Sequence, residues 1–123
     1  MNYIIRYEAI NLPTIIKEYI VFFMKNIKKL VSENDIVLFM KGSADFPMCG
    51  FSAAVVDILD RHGVHFVDVN VLEDEQLRQD IKVFSDWPTI PQLYVKGEFI
   101  GGCDIITEME NSGELAEVLQ AKA

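Results

Sequence analysis

Hydrophobic and polar residues change their period several times along this chain, and each change marks an element. Phe23, Ile27, Leu30 and Val31 recur at helical spacing, with Lys25, Lys28 and Lys29 on the other side. Ile36-Val37-Leu38-Phe39-Met40 is an unbroken apolar run too short for a helix, as expected of a central strand covered on both faces. From Cys49 the apolar positions Phe51, Val55, Ile58 and Leu59 return to helical spacing. Gly63, just after Arg61 and His62, is a natural stop for that helix. His65-Phe66-Val67-Asp68-Val69 alternates and predicts a second strand, so residues 36–70 read as a β-α-β crossover whose helix opens at Cys49.

Glu73-Asp74-Glu75 then starts a helix with acids where the helix dipole favours them. Beyond Trp87-Pro88-Thr89-Ile90-Pro91, the segments Gln92–Val95 and Glu98–Ile100 are joined by Lys96-Gly97 and predict a β-hairpin. A final helical region from about Asp104 carries Ile105, Ile106, Met109, Leu115 and Val118. The order α-β-α-β-α-β-β-α is that of a thioredoxin-type α/β domain, a four-stranded mixed sheet with helices on both faces. We expect one such domain over residues 23–123. Residues 1–22 form an extension of unassigned role: an extra helix, a targeting segment, or sequence upstream of a start at Met24. Its apolar stretch IIKEYIVFFM is short and broken by Lys17 and Glu18, so it predicts no membrane span.

Charge narrows the partners. Eleven Lys and Arg against nineteen Asp and Glu give a net charge of −8, which argues against nucleic acid or an anionic membrane as the main partner. The imbalance lies beyond residue 41, so a basic residue near a reactive group there is a candidate anion contact.

The candidate chemistry centres on KGSADFPMCGFS, residues 41–52. Cys49 stands at the predicted start of a helix, where unpaired backbone N–H groups and the helix dipole favour thiolate over thiol. Lys41, at the end of the preceding strand, adds positive charge. A dithiol redox motif would place a second sulfur three residues on, but position 52 is serine. Cys49 therefore cannot resolve a mixed disulfide within its own motif, and exchange needs an external or a distant thiol. Cys103 is the one internal candidate; it reads equally as a semi-buried cysteine beside a turn. Two cysteines give no disulfide framework and no zinc spacing, a pattern suited to a reducing compartment. His62 and His65 bracket a helix-to-strand turn, a poor geometry for a shared metal.

Four ordered blocks now stand together: Lys41-Gly42, Cys49-Gly50-Phe51-Ser52, Trp87-Pro88-Thr89-Ile90-Pro91-Gln92 and Gly101-Gly102-Cys103-Asp104. In order and spacing, from about Phe23 to the C-terminus, they resemble the monothiol, CGFS-type glutaredoxins, the glutaredoxin-related iron–sulfur carriers. Ser43-Ala44 departs from the Thr-Pro that many members carry, and residues 1–22 have no counterpart in the family core.

The resemblance implies a glutathione site. Lys41 and Arg78 would meet the glycine carboxylate, with Lys82 assisting one turn further along the same predicted helix face. By itself, Arg78 reads as an exposed residue paired with Asp74. Ile90-Pro91 resembles the cis-proline of the fold, turning the Ile90 backbone toward the tripeptide; on sequence alone a trans bond is the commoner reading. Gly102 would allow close approach, and the backbone at Cys103 and Asp104 would hold the γ-glutamyl carboxylate, with the Asp104 side chain on its ammonium. Phe51 and Trp87 would line the groove. A 2Fe–2S cluster takes four thiolates in its all-cysteine form. Cys49 and one glutathione from each of two chains supply four, so the resemblance implies a homodimer bridged by the cluster. Apo iron–sulfur proteins are the implied recipients and a BolA-type protein a possible partner. The rival expectation is an enzyme exchanging glutathione with glutathionylated proteins through Cys49. The compartment expected is the cytoplasm, or the mitochondrial matrix in a eukaryote.

Overall fold

The computed structural model describes residues 13–121; residues 1–12 of the expected extension and residues 122–123 lie outside the described residues. The elements run α1 (Thr14–Glu33), β1 (Ile36–Met40), α2 (Gly50–His62), β2 (Val67–Asn70), a 3₁₀ turn (Val71–Glu73), α3 (Glu75–Ser85), β3 (Gln92–Val95), β4 (Glu98–Gly101), α4 (Cys103–Ser112) and α5 (Glu114–Ala121). The strands form one sheet in the order β2-β1-β3-β4. β2 runs parallel to β1, while β3 is antiparallel to both β1 and β4. This is the four-stranded mixed sheet the sequence predicted.

β1 is buried along its whole length because it divides two cores. Ile36, Leu38 and Met40 point into a cluster with Val55, Leu59, Ile106 and Leu115 from α2, α4 and α5. Val37 and Phe39 point the other way, to Ile27 and Val31 of α1, Ile81 of α3 and Tyr94 of β3. The alternation of a strand thus distributes one apolar run over both faces. His62 Nε2 lies 2.7 Å from Glu110 Oε1 and ties α2 to α4 on the first face.

Several element ends differ from the sequence expectation. The first helix begins at Thr14, not near Phe23, although its fully buried described side chains, Met24, Ile27 and Val31, all lie beyond Phe23. The second strand is Val67–Asn70, because its register is set by β1: Val37 faces Val67 and Met40 faces Asn70. The last helical region is two helices. Gly113, at φ 83°, ends α4 in the left-handed region, and the helix restarts at Glu114. The hairpin turn is as expected, with Lys96 at φ 52° and Gly97 at φ 80°, and Lys96 Nζ lies 2.9 Å from Asp35.

Candidate functional site

Three segments converge at the ends of β1 and β3: the loop from Lys41 to the start of α2, the segment Trp87–Pro91 before β3, and Gly102–Ile105 at the start of α4. Between them is a cleft of about 430 Å³, within the range of small-molecule sites. The ten residues that the resemblance implied for a glutathione site line it: Lys41, Cys49, Phe51, Arg78, Lys82, Ile90, Pro91, Gly102, Cys103 and Asp104.

The loop that carries the thiol is tightly built. Met48 N–H donates to Lys41 O at 2.9 Å, Gly42 N–H to Asn70 Oδ1 at 3.0 Å, and Ala44 N–H to Asp68 Oδ2 at 2.8 Å. Gly42 sits at φ 89°, and a Cβ there would lie 2.4 Å from Phe46 O, so only glycine lets the two arms of the loop meet.

Cys49 is the N-cap of α2, half-buried and free. Its thiol is held below the ordinary range chiefly by the backbone N–H of Ser52, then by that of Phe51 and by the positive charge of Lys41; the Ser52 hydroxyl adds a smaller effect, and partial burial opposes them. Ser52 is completely buried, and its hydroxyl accepts the Lys41 N–H at 3.1 Å. The serine is therefore a strut between the end of β1 and the first turn of α2.

The opposite wall comes from α3 and the segment after it. Asp74 caps α3 through its side chain on Leu77 N–H and does not pair with Arg78. Among the described residues, the nearest carboxylate to Arg78 is Glu75, at 3.8 Å. Arg78 Nε and Trp87 Nε1 are buried donors without a hydrogen-bond partner among the described residues. Both residues line the cleft, so a ligand rich in acceptors fits it. Lys41, Arg78 and Lys82 stand against Asp104 alone among the lining charges, inside a chain of net charge −8. The N-termini of α2 and α4 open onto the same space, which strengthens the bias toward anions.

Ile90–Pro91 is cis. Sequence reasoning missed what fixes this segment. Gln92 is fully buried, and its amide donates to Trp87 O at 3.0 Å and Thr89 O at 3.1 Å while accepting the Tyr94 hydroxyl at 3.2 Å. A polar residue opening a strand was the available signal. Pro88, Thr89 and Ile105 also line the cleft and were not anticipated. His62 pairs with Glu110 and His65 is exposed, so the two histidines do not share a site. Cys49 and Cys103 line one cleft as separate thiols.

Fold and site together define a thioredoxin-fold protein with a single acidified thiol over an anion-favouring cleft. The glutaredoxin family model matches residues 36–100. A probable monothiol glutaredoxin 2 of Rickettsia typhi is 54% identical over 97 residues, covering 79% of this chain and 87% of that protein. Monothiol glutaredoxin-5, mitochondrial, of Saccharomyces cerevisiae is 56% identical over 99 residues, covering 78% of this chain and 66% of that protein. The solution structure of reduced poplar apo GrxS14 superposes with a TM-score of 0.72 at 52% identity, covering 80% of this chain and 90% of that one. This chain belongs to the monothiol glutaredoxins.

Proposed function

We propose that the protein binds a 2Fe–2S cluster with glutathione and passes it to apo-proteins, Cys49 being the protein ligand. One observation carries the reading: an acidified thiol stands at an acceptor-seeking cleft, and the place of a partner thiol is taken by a buried, structurally engaged serine. Lys41, Arg78 and Lys82 would hold the glycine carboxylate of glutathione. Ile90 and Pro91 would hold its backbone, Gly102, Cys103 and the exposed Asp104 its γ-glutamyl end, and Phe51 would cover it. Bound glutathione supplies a second thiolate, and two chains with two glutathiones complete the four ligands of the cluster. The assembly would be a cluster-bridged homodimer within the glutaredoxin domain, residues 23–123, with residues 1–22 as an extension. Apo iron–sulfur proteins would be the recipients, and a BolA-type protein an exchange partner. Relatives include bacterial and mitochondrial proteins, and no described helix is long and apolar enough to cross a membrane. The cytoplasm, or the matrix in a eukaryote, is the proposed compartment.

Anaerobic reconstitution with iron, sulfide and glutathione, followed by visible absorption and molar mass, tests this. The expected result is a coloured dimer that Cys49→Ser converts to a colourless monomer. Colour that survives Cys49→Ser, or wild-type protein that never gains colour, would overturn it. The acidified thiol also suits a second reading, thiol–disulfide exchange with glutathionylated proteins. Colourless protein with rapid, Cys49-dependent turnover of a glutathione mixed disulfide would select that one.

A further inference from the structure

The eleven residues Phe46–Val56, FPMCGFSAAVV, contain no Asp, Glu, Lys or Arg. On them the protein exposes three large apolar groups around its reactive thiol: Phe46 (78% exposed), Met48 (71%) and Phe51 (62%). Between and beyond these stand Gly50, Ala53 and Ala54, also exposed and all small. A Cβ added at Gly50 would meet nothing within 4 Å. The result is a low apolar floor with tall apolar posts. It is held in shape, because Ser43 and Phe46 exchange backbone hydrogen bonds of 3.2 and 3.1 Å and Met48 is bonded to Lys41. Phe46 and Met48 serve neither core and do not line the cleft. Clustered exposed apolar groups of this kind mark interaction surfaces more often than scattered single ones.

The first charges on either side of the window are Asp45 and Asp57, and the neighbouring loop rests on Asp68; all three are exposed. Asp57 also meets Arg61, at 3.3 Å. We infer that this window is the docking surface for an acceptor protein whose thiol-bearing face presents an apolar side chain ringed by Lys or Arg. A second copy held at this face by a shared cluster brings the same acidic rim against itself, whereas a basic rim is attracted to it and to the −8 body as a whole, so such an acceptor is the favoured occupant. The inference rests on the proposed reading only in assuming that Cys49 delivers its cargo to a protein. Docking then places the acceptor thiols over Cys49 and displaces a second copy from the same face.

The test uses three synthetic peptides and the isotope-labelled full chain, followed by amide shifts. The first has a Leu-Phe centre flanked by three Lys; the second exchanges Lys for Glu; the third keeps Lys and exchanges Leu-Phe for Ser-Ser. The first should shift residues 46–57 and bind at least about tenfold more tightly than either other, and Phe46→Ser with Met48→Ser should weaken it by a similar factor. Cluster absorbance of that double variant should equal wild type. Absence of binding, equal binding of the Glu or Ser-Ser peptide, or shifts at 46–57 that follow protein concentration alone would overturn the inference, the last in favour of a second copy. Cluster colour without peptide docking refutes this inference and leaves the proposed function standing. Docking without colour does the reverse.

Discussion

Replacing Ser52 separates two effects that the structure assigns to different atoms of one residue. The hydroxyl accepts the Lys41 N–H at 3.1 Å from a side chain with no exposed surface. Ser52→Ala removes that acceptor and leaves a partly buried backbone donor unpaired, which costs about 1–2 kcal/mol. The thiol should suffer little, because the foremost cause of its acidity is the backbone N–H of Ser52, which alanine keeps, and the hydroxyl makes only a lesser contribution. Ser52→Pro removes the N–H as well. It lies in the first turn of α2, where a helix has no intrahelical use for that donor. The comparison of Pro with Ala at position 52 therefore tests the influence of that one N–H on the thiol.

The assay is urea denaturation together with the pH dependence of Cys49 alkylation, read on the Cys49 peptide by mass spectrometry so that Cys103 does not interfere. Alanine should lower stability and leave the alkylation midpoint near wild type; proline should move the midpoint upward, toward an ordinary thiol. An equal upward movement in both variants would show that the hydroxyl, not the amide, acidifies the thiol. An unchanged stability in Ser52→Ala would refute the strut.

Gly42→Ala should destabilise the fold by at least about 2 kcal/mol in the same denaturation experiment, since φ is 89° and the new Cβ would press on Phe46 O and Met48 N; a change under about 0.5 kcal/mol would refute the close approach. Asp80 is buried and one of its oxygens lacks a partner among the described residues. Burial, aided by Asp74 and opposed by a bond from Gln76, raises its pKa. The folded state thus holds the proton more tightly than the unfolded chain, and stability falls as pH rises from the ordinary carboxylate range through the raised value. Asp80→Asn should increase the melting temperature at pH 7 by a few degrees, with the gain shrinking as acid protonates Asp80 in the wild type. A gain that is constant with pH would exclude ionisation as its origin.

Much of this architecture was legible because strong local patterns coincide with the fold. β1 is apolar at every position since both faces are covered, and Gly63 ends α2 through the left-handed conformation that its position after Arg61 and His62 suggested. The cleft was legible through residue types far apart in sequence, from Lys41 to Asp104, but only because four ordered blocks resemble a known family. Nothing local in Arg78 or Ile90 points to a ligand. The misses have physical causes. β2 is displaced because pairing with β1, not its own alternation, sets its ends. The break at Gly113 was passed over because apolar spacing continues across it while the backbone does not. Gln92 showed only as a polar residue opening a strand, because the role of a buried amide is defined by the carbonyls it meets.

That glutamine has a kinetic consequence. With its amide bound to both Trp87 O and Thr89 O, the segment along one side of the cleft is held by a buried side chain of the sheet before any occupant arrives. An incoming molecule need not order that wall, so its affinity is not diminished by the entropy of doing so. Nor must that wall unlatch for the molecule to leave. On that side of the cleft, residence time is then set by the occupant's own contacts rather than by a movement of the wall.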